Sequence, residues 1–271
     1  LVSYKLDKRI VSIAVMDGRE KMPFIASDHA MRLLEGLRGE CDLVYRKGEF
    51  YLLQCCDVDE PPTGDHEDFL GVDLGVTNIA VTSEGTIFQS NTVKSVRYRH
   101  RRLPAKLQAK CTKSARRRLK KLSGKERRFA TDVNHQIAKR IVATAKDTAR
   151  GIAVEDLTGI RERVTARKPQ RAALHSWSFF QLRAFLEYKS KLVGVKVVAV
   201  DPRNTSRQCP CCGHVDKANR KTQAEFLCVS CGFSGLADHI AAVNIRGRAL
   251  LSAPNVSIRA ISASQGQAPQ L

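Results

Sequence analysis

Two pairs of cysteines constrain this chain more than any other feature. Cys209 and Cys212 form one C-x-x-C pair, Cys228 and Cys231 a second, and fifteen residues separate Cys212 from Cys228. That spacing is suited to wrapping one tetrahedral Zn²⁺, because two thiolates three residues apart on a tight knuckle reach the same ion without strain. Gly213 and Gly232 each follow a pair, where a knuckle needs a residue free to take positive φ. Cys211 is a spare that could replace Cys212, but the three-residue spacing and the following glycine favour Cys212. A disulfide framework is the weaker reading. The chain is long, and Cys41, Cys111 and the adjacent Cys55 and Cys56 are scattered as in a reduced protein.

The 271 residues suffice for one large domain or two modest ones, and an apolar fraction of 43% supports a real core. Against 27 acidic residues stand 46 Lys and Arg, a formal charge of +19. An excess of this size calls for a polyanionic partner, nucleic acid before membrane. No apolar run is long enough for a membrane span and no signal peptide is visible, so the expected location is the cytoplasm. The chain opens on Leu1 inside a strand-rich stretch, which reads as a piece of a longer product.

The charge is concentrated. Lys94 to Arg128 holds sixteen Lys and Arg against the single acid Glu126. Leu103, Leu107, Leu119 and Leu122 interrupt it at helical steps, which predicts basic helices with a thin apolar seam and a hinge at Ser123-Gly124. A solvated face usually mixes signs, and this one does not. Arg97, Arg99, Arg101, Arg102, Lys106, Lys110, Lys113, Arg116, Arg117, Arg118, Lys120 and Lys121 are therefore expected to hold a phosphate backbone, contacts that position a duplex without reading its sequence. In the helix that follows, Val133, Ile137, Ile141, Val142 and Ala145 form a conventional packing face.

Residues 1–60 alternate short apolar runs with turns such as Asp17-Gly18 and Lys47-Gly48, predicting a small β-rich module with one helix near Ser27–Leu37. A linker follows from Asp59 to Asp65. Strands are expected at Phe69–Asp73, Asn78–Thr82, Thr86–Phe88, Gly151–Leu157 and Val195–Val200. An amphipathic segment over 175–193 carries Trp177, Phe180, Leu182, Phe185, Leu186 and Tyr188 as a packed face, and a last helix covers Asp238 to Leu251. Three strands in hairpin order, a helix, a strand, a helix, a strand and a final helix make the layout of an RNase H-like α/β domain.

Three carboxylates stand at telling points in that layout. Asp73 lies in an apolar strand, where an uncompensated buried carboxylate would cost several kcal/mol. Glu155 leaves the adjacent strand and Asp238 opens the last helix. Three carboxylates converging on one point need a cation, and hard oxygen donors suit Mg²⁺ or Mn²⁺, which could activate water against a phosphodiester. Taken singly, Asp238 could be a helix cap, Asp73 an ion-pair partner and Glu155 a surface strand end. Asp156 and Asp201 could be fourth carboxylates, with structural roles favoured for both.

Gly71-Val72-Asp73-Leu74-Gly75, Val154-Glu155-Asp156-Leu157, and the cysteine ribbon followed by Asp238-x-x-Ala241-Ala242-x-Asn244-Ile245 resemble the three RuvC motifs and inserted zinc finger of the TnpB family. Asp201 to Ser206 is similar to that family's approach to its ribbon. Ile240 departs from the pattern, standing where the family usually has Asn, and only about seventy residues precede the first motif, fewer than family members carry.

The resemblance implies an RNA-guided, metal-dependent DNA endonuclease of a transposable element. Guide RNA and target DNA would be its partners, Zn²⁺ its structural metal, and Asp73, Glu155 and Asp238 its catalytic residues, in a monomer or weak dimer. The implied organisation is a partial β-barrel module and linker (1–65), a RuvC-like domain (66–208) with a basic helical arm (94–150), a zinc ribbon (209–235), a last RuvC-like helix (236–251) and a disordered tail (252–271). Competing readings are an inactive nucleic-acid-binding remnant, an RNA-guided repressor and a strand-transfer transposase.

Overall fold

The computed structural model describes residues 2–46, 48–158 and 179–252. The chain divides into two compact units, Leu1–Glu60 and Pro61–Leu271. Residues 1–60 carry nine Lys and Arg against eleven Asp and Glu, so the whole positive excess belongs to the second unit. Among the described residues no helix is long and apolar enough to cross a membrane.

In the first unit, β1 (Val2–Lys5), β2 (Ile10–Val15) and β3 (Gly18–Pro23) form an antiparallel sheet, and β4 (Leu37–Arg46) pairs with β5 (Glu49–Cys56) in a second. Gly18 and Gly48, each at positive φ, stand where the two hairpins turn, while Lys47 lies outside the described residues. β3 carries no strand pattern, for its Gly-Arg-Glu-Lys-Met-Pro is polar and fully exposed. It forms because the Asp17-Gly18 turn sets it in register along β2, from Val15↔Gly18 to Ile10↔Pro23. The helix expected near Ser27–Leu37 is shorter. α1 spans Asp28–Leu33, capped where Ser27 Oγ accepts from Ala30 N at 3.2 Å, and one 3₁₀ turn (Leu34–Gly36) follows. Gly36 ends it, for its carbonyl accepts from Asp57 N at 2.8 Å, which draws Leu37 into β4.

The second unit is built on a five-stranded sheet in the order β10-β9-β6-β7-β8. Its strands are β6 (Phe69–Asp73), β7 (Asn78–Thr82), β8 (Ile87–Gln89), β9 (Gly151–Glu155) and β10 (Val197–Val200). β6 pairs antiparallel with β7 and β7 with β8, while β6, β9 and β10 run parallel. Between β8 and β9 come α2 (Asn91–Ala109), α3 (Lys113–Leu122) and α4 (Lys125–Asp147). α5 (Phe179–Lys191) leads into β10, and α6 (Ala237–Ser252) closes the unit.

Strand alternation sorts side chains between two layers. Leu70 and Val72 of β6, with Ile152 and Val154 of β9, pack against Ile137, Ile141, Val142 and Ala145 of α4 and Leu182 and Leu186 of α5. Phe69 and Ala153 face the other way, into a smaller cluster with Val200 and with Ile245 and Ala249 of α6. Gly71 shares that second face, and α6 passes so close that a Cβ on Gly71 would lie 2.0 Å from the Ala242 carbonyl oxygen.

The packing face expected over 175–193 is only half realised. Leu182 and Leu186 are buried and Phe185 packs beside them, but the Phe180 and Tyr188 side chains reach solvent. In a helix flush on a sheet, the inner stripe takes about two positions per turn, and the outer aromatics fall beyond it. Trp177 and the expected tail after Ser252 lie outside the described residues.

Candidate metal centres and nucleic-acid interface

Alternation that sends Phe69 and Gly71 toward α6 sends Asp73 the same way, at the carboxyl end of β6. Parallel pairing of Phe69 with Gly151 and Gly71 with Ala153 brings Glu155 alongside at the carboxyl end of β9. The close approach at Gly71 then sets the first turn of α6, carrying Asp238, over the same edge. Asp73, Glu155 and Asp238 together line an open cleft of about 400 Å³, with Asp156, Thr205, Arg220 and Gln223 also on its wall.

The electrostatics of the cleft are strained. Burial, then the charges of Glu155 and Asp238, push the Asp73 carboxyl well above the usual carboxylate range, and Arg220 opposes them. Burial also raises Glu155, against the Thr205 hydroxyl that donates to its Oε1 and the nearby guanidinium groups of Arg248 and Arg220. Asp238 Oδ2 accepts from Asn78 Nδ2 at 2.9 Å, and its Oδ1 lies 3.4 Å from Arg220 Nη2. Three carboxylates thus line one cleft, although among the described residues the only side chains with ligand atoms close enough together to share one ion are the four cysteines of the ribbon.

The other two acids are employed locally. Asp156 Oδ1 accepts from the Thr158 hydroxyl at 2.6 Å and backbone N–H at 3.2 Å and from Arg183 Nη1 at 3.0 Å, and these donors lower its pKa. Asp201 Oδ1 caps the turn at Arg203 N, 3.0 Å away.

In the ribbon, the ligand atoms of Cys209, Cys212, Cys228 and Cys231 all lie within 4.8 Å of one another, while Cys211 stands outside the group, exposed. The two knuckles repeat one pattern. Cys209 N donates to His214 O and Gly213 N to Cys209 O; Cys228 N donates to Phe233 O and Gly232 N to Cys228 O. Gly213 and Gly232 take φ of 74° and 75°, the conformation the spacing required. Burial alone would raise the Cys228 thiol, but amide donors from Cys231 and Ser230, together with the neighbouring Cys212 and Cys231 thiols, bring it down to about 6, while Cys212 and Cys231 are themselves held above the usual thiol value. Ile240 packs with Cys209, Phe226, Cys228 and Ala237, so the departure at this position seats α6 on the ribbon.

The basic arm folds as α2 and α3, hinged to α4 at Gly124 with φ of 74°. On α3, Lys113, Arg116, Arg117, Lys120 and Lys121 form one exposed stripe opposite Ala115, Leu119 and Leu122. It spans about 12 Å at 1.5 Å per residue. Arg99, Arg101, Arg102, Lys106 and Lys110 on and just after α2 are exposed, as is Arg118 on α3. Arg97 is different. Its Nε donates to Glu126 at 2.9 Å with the side chain mostly covered, so it ties α2 to α4 instead of facing solvent.

Sequence reasoning missed Asn78, Thr205, Arg220 and Asn244. Asn244 Nδ2 donates to the Thr205 and Gln208 carbonyls at 2.7 and 2.8 Å, holding the loop that presents Thr205 to Glu155. Asn244 lies inside the third motif, but a motif letter does not say what a buried amide holds. The others carry no local signal.

Two family models match. The one described as "Probable transposase" (OrfB_IS605) covers residues 53–160, and "Cas12f1-like, TNB domain" covers 179–245. A CRISPR-associated endodeoxyribonuclease Cas12f1 of Sulfoacidibacillus thermotolerans is 33% identical over 220 residues, 74% of this chain and 50% of that protein. The TnpB-like protein MJ0751 of Methanocaldococcus jannaschii is 37% identical over 128 residues, 47% of this chain and 45% of that one. The chain thus spans half or less of the length of these curated relatives. In a cryo-EM structure of a Cas12f1–sgRNA–target DNA complex, the protein aligns with a TM-score of 0.52 at 21% identity, over 76% of this chain and 55% of that one. That likeness is one of fold.

Proposed function

We propose that this chain, a member of the TnpB family by its motifs and both family matches, carries the nuclease centre of an RNA-guided DNA endonuclease. The observation that carries the reading is that Asp73, Glu155 and Asp238, from segments far apart in sequence, line one cleft at the carboxyl edge of the five-stranded sheet. Mg²⁺ or Mn²⁺ held by these carboxylates would supply an activated water and neutralise charge developing on a phosphodiester. Thr205 fixes the Glu155 oxygen and Asn78 the Asp238 oxygen, so both carboxylates are oriented before any ion arrives.

Specificity in this reading comes from base pairing of a guide RNA, and the exposed stripe on α3 and the arginines of α2 hold backbone phosphates. Zn²⁺ in the four-thiolate site is structural, because a closed set of four ligands leaves no position for substrate. The test is DNA cleavage by the complete reading frame that contains these residues, supplied with guide RNA and Mg²⁺. Asp73→Ala, Glu155→Ala and Asp238→Ala should each abolish cutting while target binding persists. A variant that cuts at the parental rate would remove its residue from the centre.

The exposed basic stripe of α3 favours a second reading, in which the protein binds nucleic acid without cutting it. Absence of cleavage by the complete frame, with salt-dependent binding retained, would select that reading.

A further inference from the structure

One aromatic residue stands among the cations of the basic arm. Tyr98 is the only Phe, Tyr or Trp between Lys94 and Arg128. It lies on the solvent side of α2, 60% exposed. Helical spacing sorts α2 into two faces. Val93 and Leu107 are buried with Val96 and Leu103 half-buried beside them, whereas Lys94, Tyr98, Arg102 and Lys106, each four residues from the next, are all exposed. These four make one stripe that rises about 6 Å at each step, and the exposed Arg101 adds a further charge beside it.

Arg102 steadies the ring. Its Nη1 donates to the Tyr98 hydroxyl oxygen at 2.8 Å, and its guanidinium carbon stands 5.3 Å from the ring centre. Close packing on the ring would need about 3.5–4.0 Å, so the guanidinium leaves room there for another flat group. An aromatic held in solvent gains nothing from burial in the fold itself. Bordered by cations, it suits a nucleobase, because every base offers a π-face and the strand's phosphates are drawn to the flanking Lys and Arg. Bases inside a duplex are stacked on one another, so only an unpaired base has a face to offer. α3 differs, for Lys113–Leu122 contains no aromatic and its stripe offers charge alone.

We propose that Tyr98 is a stacking platform for an unpaired nucleobase, so that α2 binds single-stranded nucleic acid while α3 holds backbone phosphate only. The proposal rests on the reading of the basic arm as a nucleic-acid surface and goes beyond it by naming the strand state that α2 selects. Stacking on a ring releases no counterion from a phosphate. The ring's share of the affinity is therefore insensitive to salt, unlike that of its cationic neighbours.

The test measures binding of the 271-residue chain to a labelled single strand, made as RNA and as DNA, and to the DNA duplex of the same sequence, by fluorescence anisotropy over a salt series. Y98A should weaken single-strand binding about fivefold or more at every salt concentration, with the log–log slope unchanged and duplex binding near the parent's. Y98F keeps the ring and drops only the hydroxyl bonded to Arg102, so it should stay closer to the parent. R116Q/R117Q/R118Q should flatten the slope for single strand and duplex alike. A loss by Y98A on RNA alone, or on DNA alone, supports the platform and identifies the strand it serves. If Y98A melts below the parent, Y98L takes its place, because leucine keeps apolar bulk and helical propensity without a π-face. Parental single-strand affinity in the variant that lacks the ring, or an equal loss on single strand and duplex, overturns the proposal while the triple variant's slope keeps the arm as a binding surface. If the triple variant and Y98A both leave every titration unchanged, the reading of the arm itself falls, and this inference with it.

Discussion

Gly71 of β6 lies against the carbonyl of Ala242 on α6, where a Cβ would come within 2.0 Å of the oxygen and 2.8 Å of Arg246 N. Both obstacles are helix backbone, which cannot swing aside. This close approach sets the height of α6 above the sheet, and with it the distance from Asp238 to Asp73. Gly71→Ala should therefore cost about 3 kcal/mol from overpacking. It should also weaken Mn²⁺ binding at the cleft, because a lifted α6 withdraws Asp238. Chemical denaturation together with a metal titration checks both. Parental stability would mean that the helix can retreat freely.

The raised Asp73 carboxyl has a consequence for stability in the absence of divalent metal. When folding raises an acid's pKa, the folded state holds a proton that the unfolded chain has lost, so stability falls as pH climbs from the ordinary carboxylate value toward the raised one. Asp73→Asn removes that penalty. Its melting temperature should exceed the parent's, and the margin should widen as pH climbs from the ordinary carboxylate value of 3.8 toward the raised one. A margin that is constant or shrinks over that window would contradict the assigned burial and repulsion. Added Mn²⁺ should reverse the order, stabilising the parent alone.

The ribbon should hold one Zn²⁺ per chain. Cys228→Ser should lose it and unfold the ribbon locally, whereas Cys211→Ser should keep it, because Cys211 stands outside the cluster. Metal analysis of the purified variants decides, and zinc retained by Cys228→Ser would rule out this ligand set.

Affinity for nucleic acid should fall steeply with salt. Replacing Arg116, Arg117 and Arg118 together with Gln should flatten the log–log salt dependence by up to about two or three units, one for each phosphate no longer neutralised. Arg97→Gln should leave that slope nearly unchanged and instead lower stability, because Arg97 is paired with Glu126 across α2 and α4. An effect of Arg97 on slope equal to the triple variant's would place it on the binding surface after all.

Much of this molecule is legible in the chain itself wherever the signal is local. The cysteine knuckles, their glycines, the hinge at Gly124 and the five strands of the larger unit each depend on residues within a few positions of one another, so spacing and periodicity reveal them. β3 escaped because a polar edge strand has no buried face to pattern it. Arg97 looked like its basic neighbours because composition cannot distinguish a cation facing solvent from one turned toward Glu126.

The candidate centre divides along the same line. Sequence determined which carboxylates stand at strand ends and a helix start. Tertiary structure decided that they line one cleft, through the parallel register of β6 with β9 and the approach of α6 over Gly71. The groups that orient and neutralise them were invisible beforehand: Asn78 reaches Asp238 across 160 residues, Thr205 reaches Glu155 across 50, and Arg220 arrives from the ribbon. A hydrogen bond between distant segments imposes no period on either one, so only the folded chain brings its partners together.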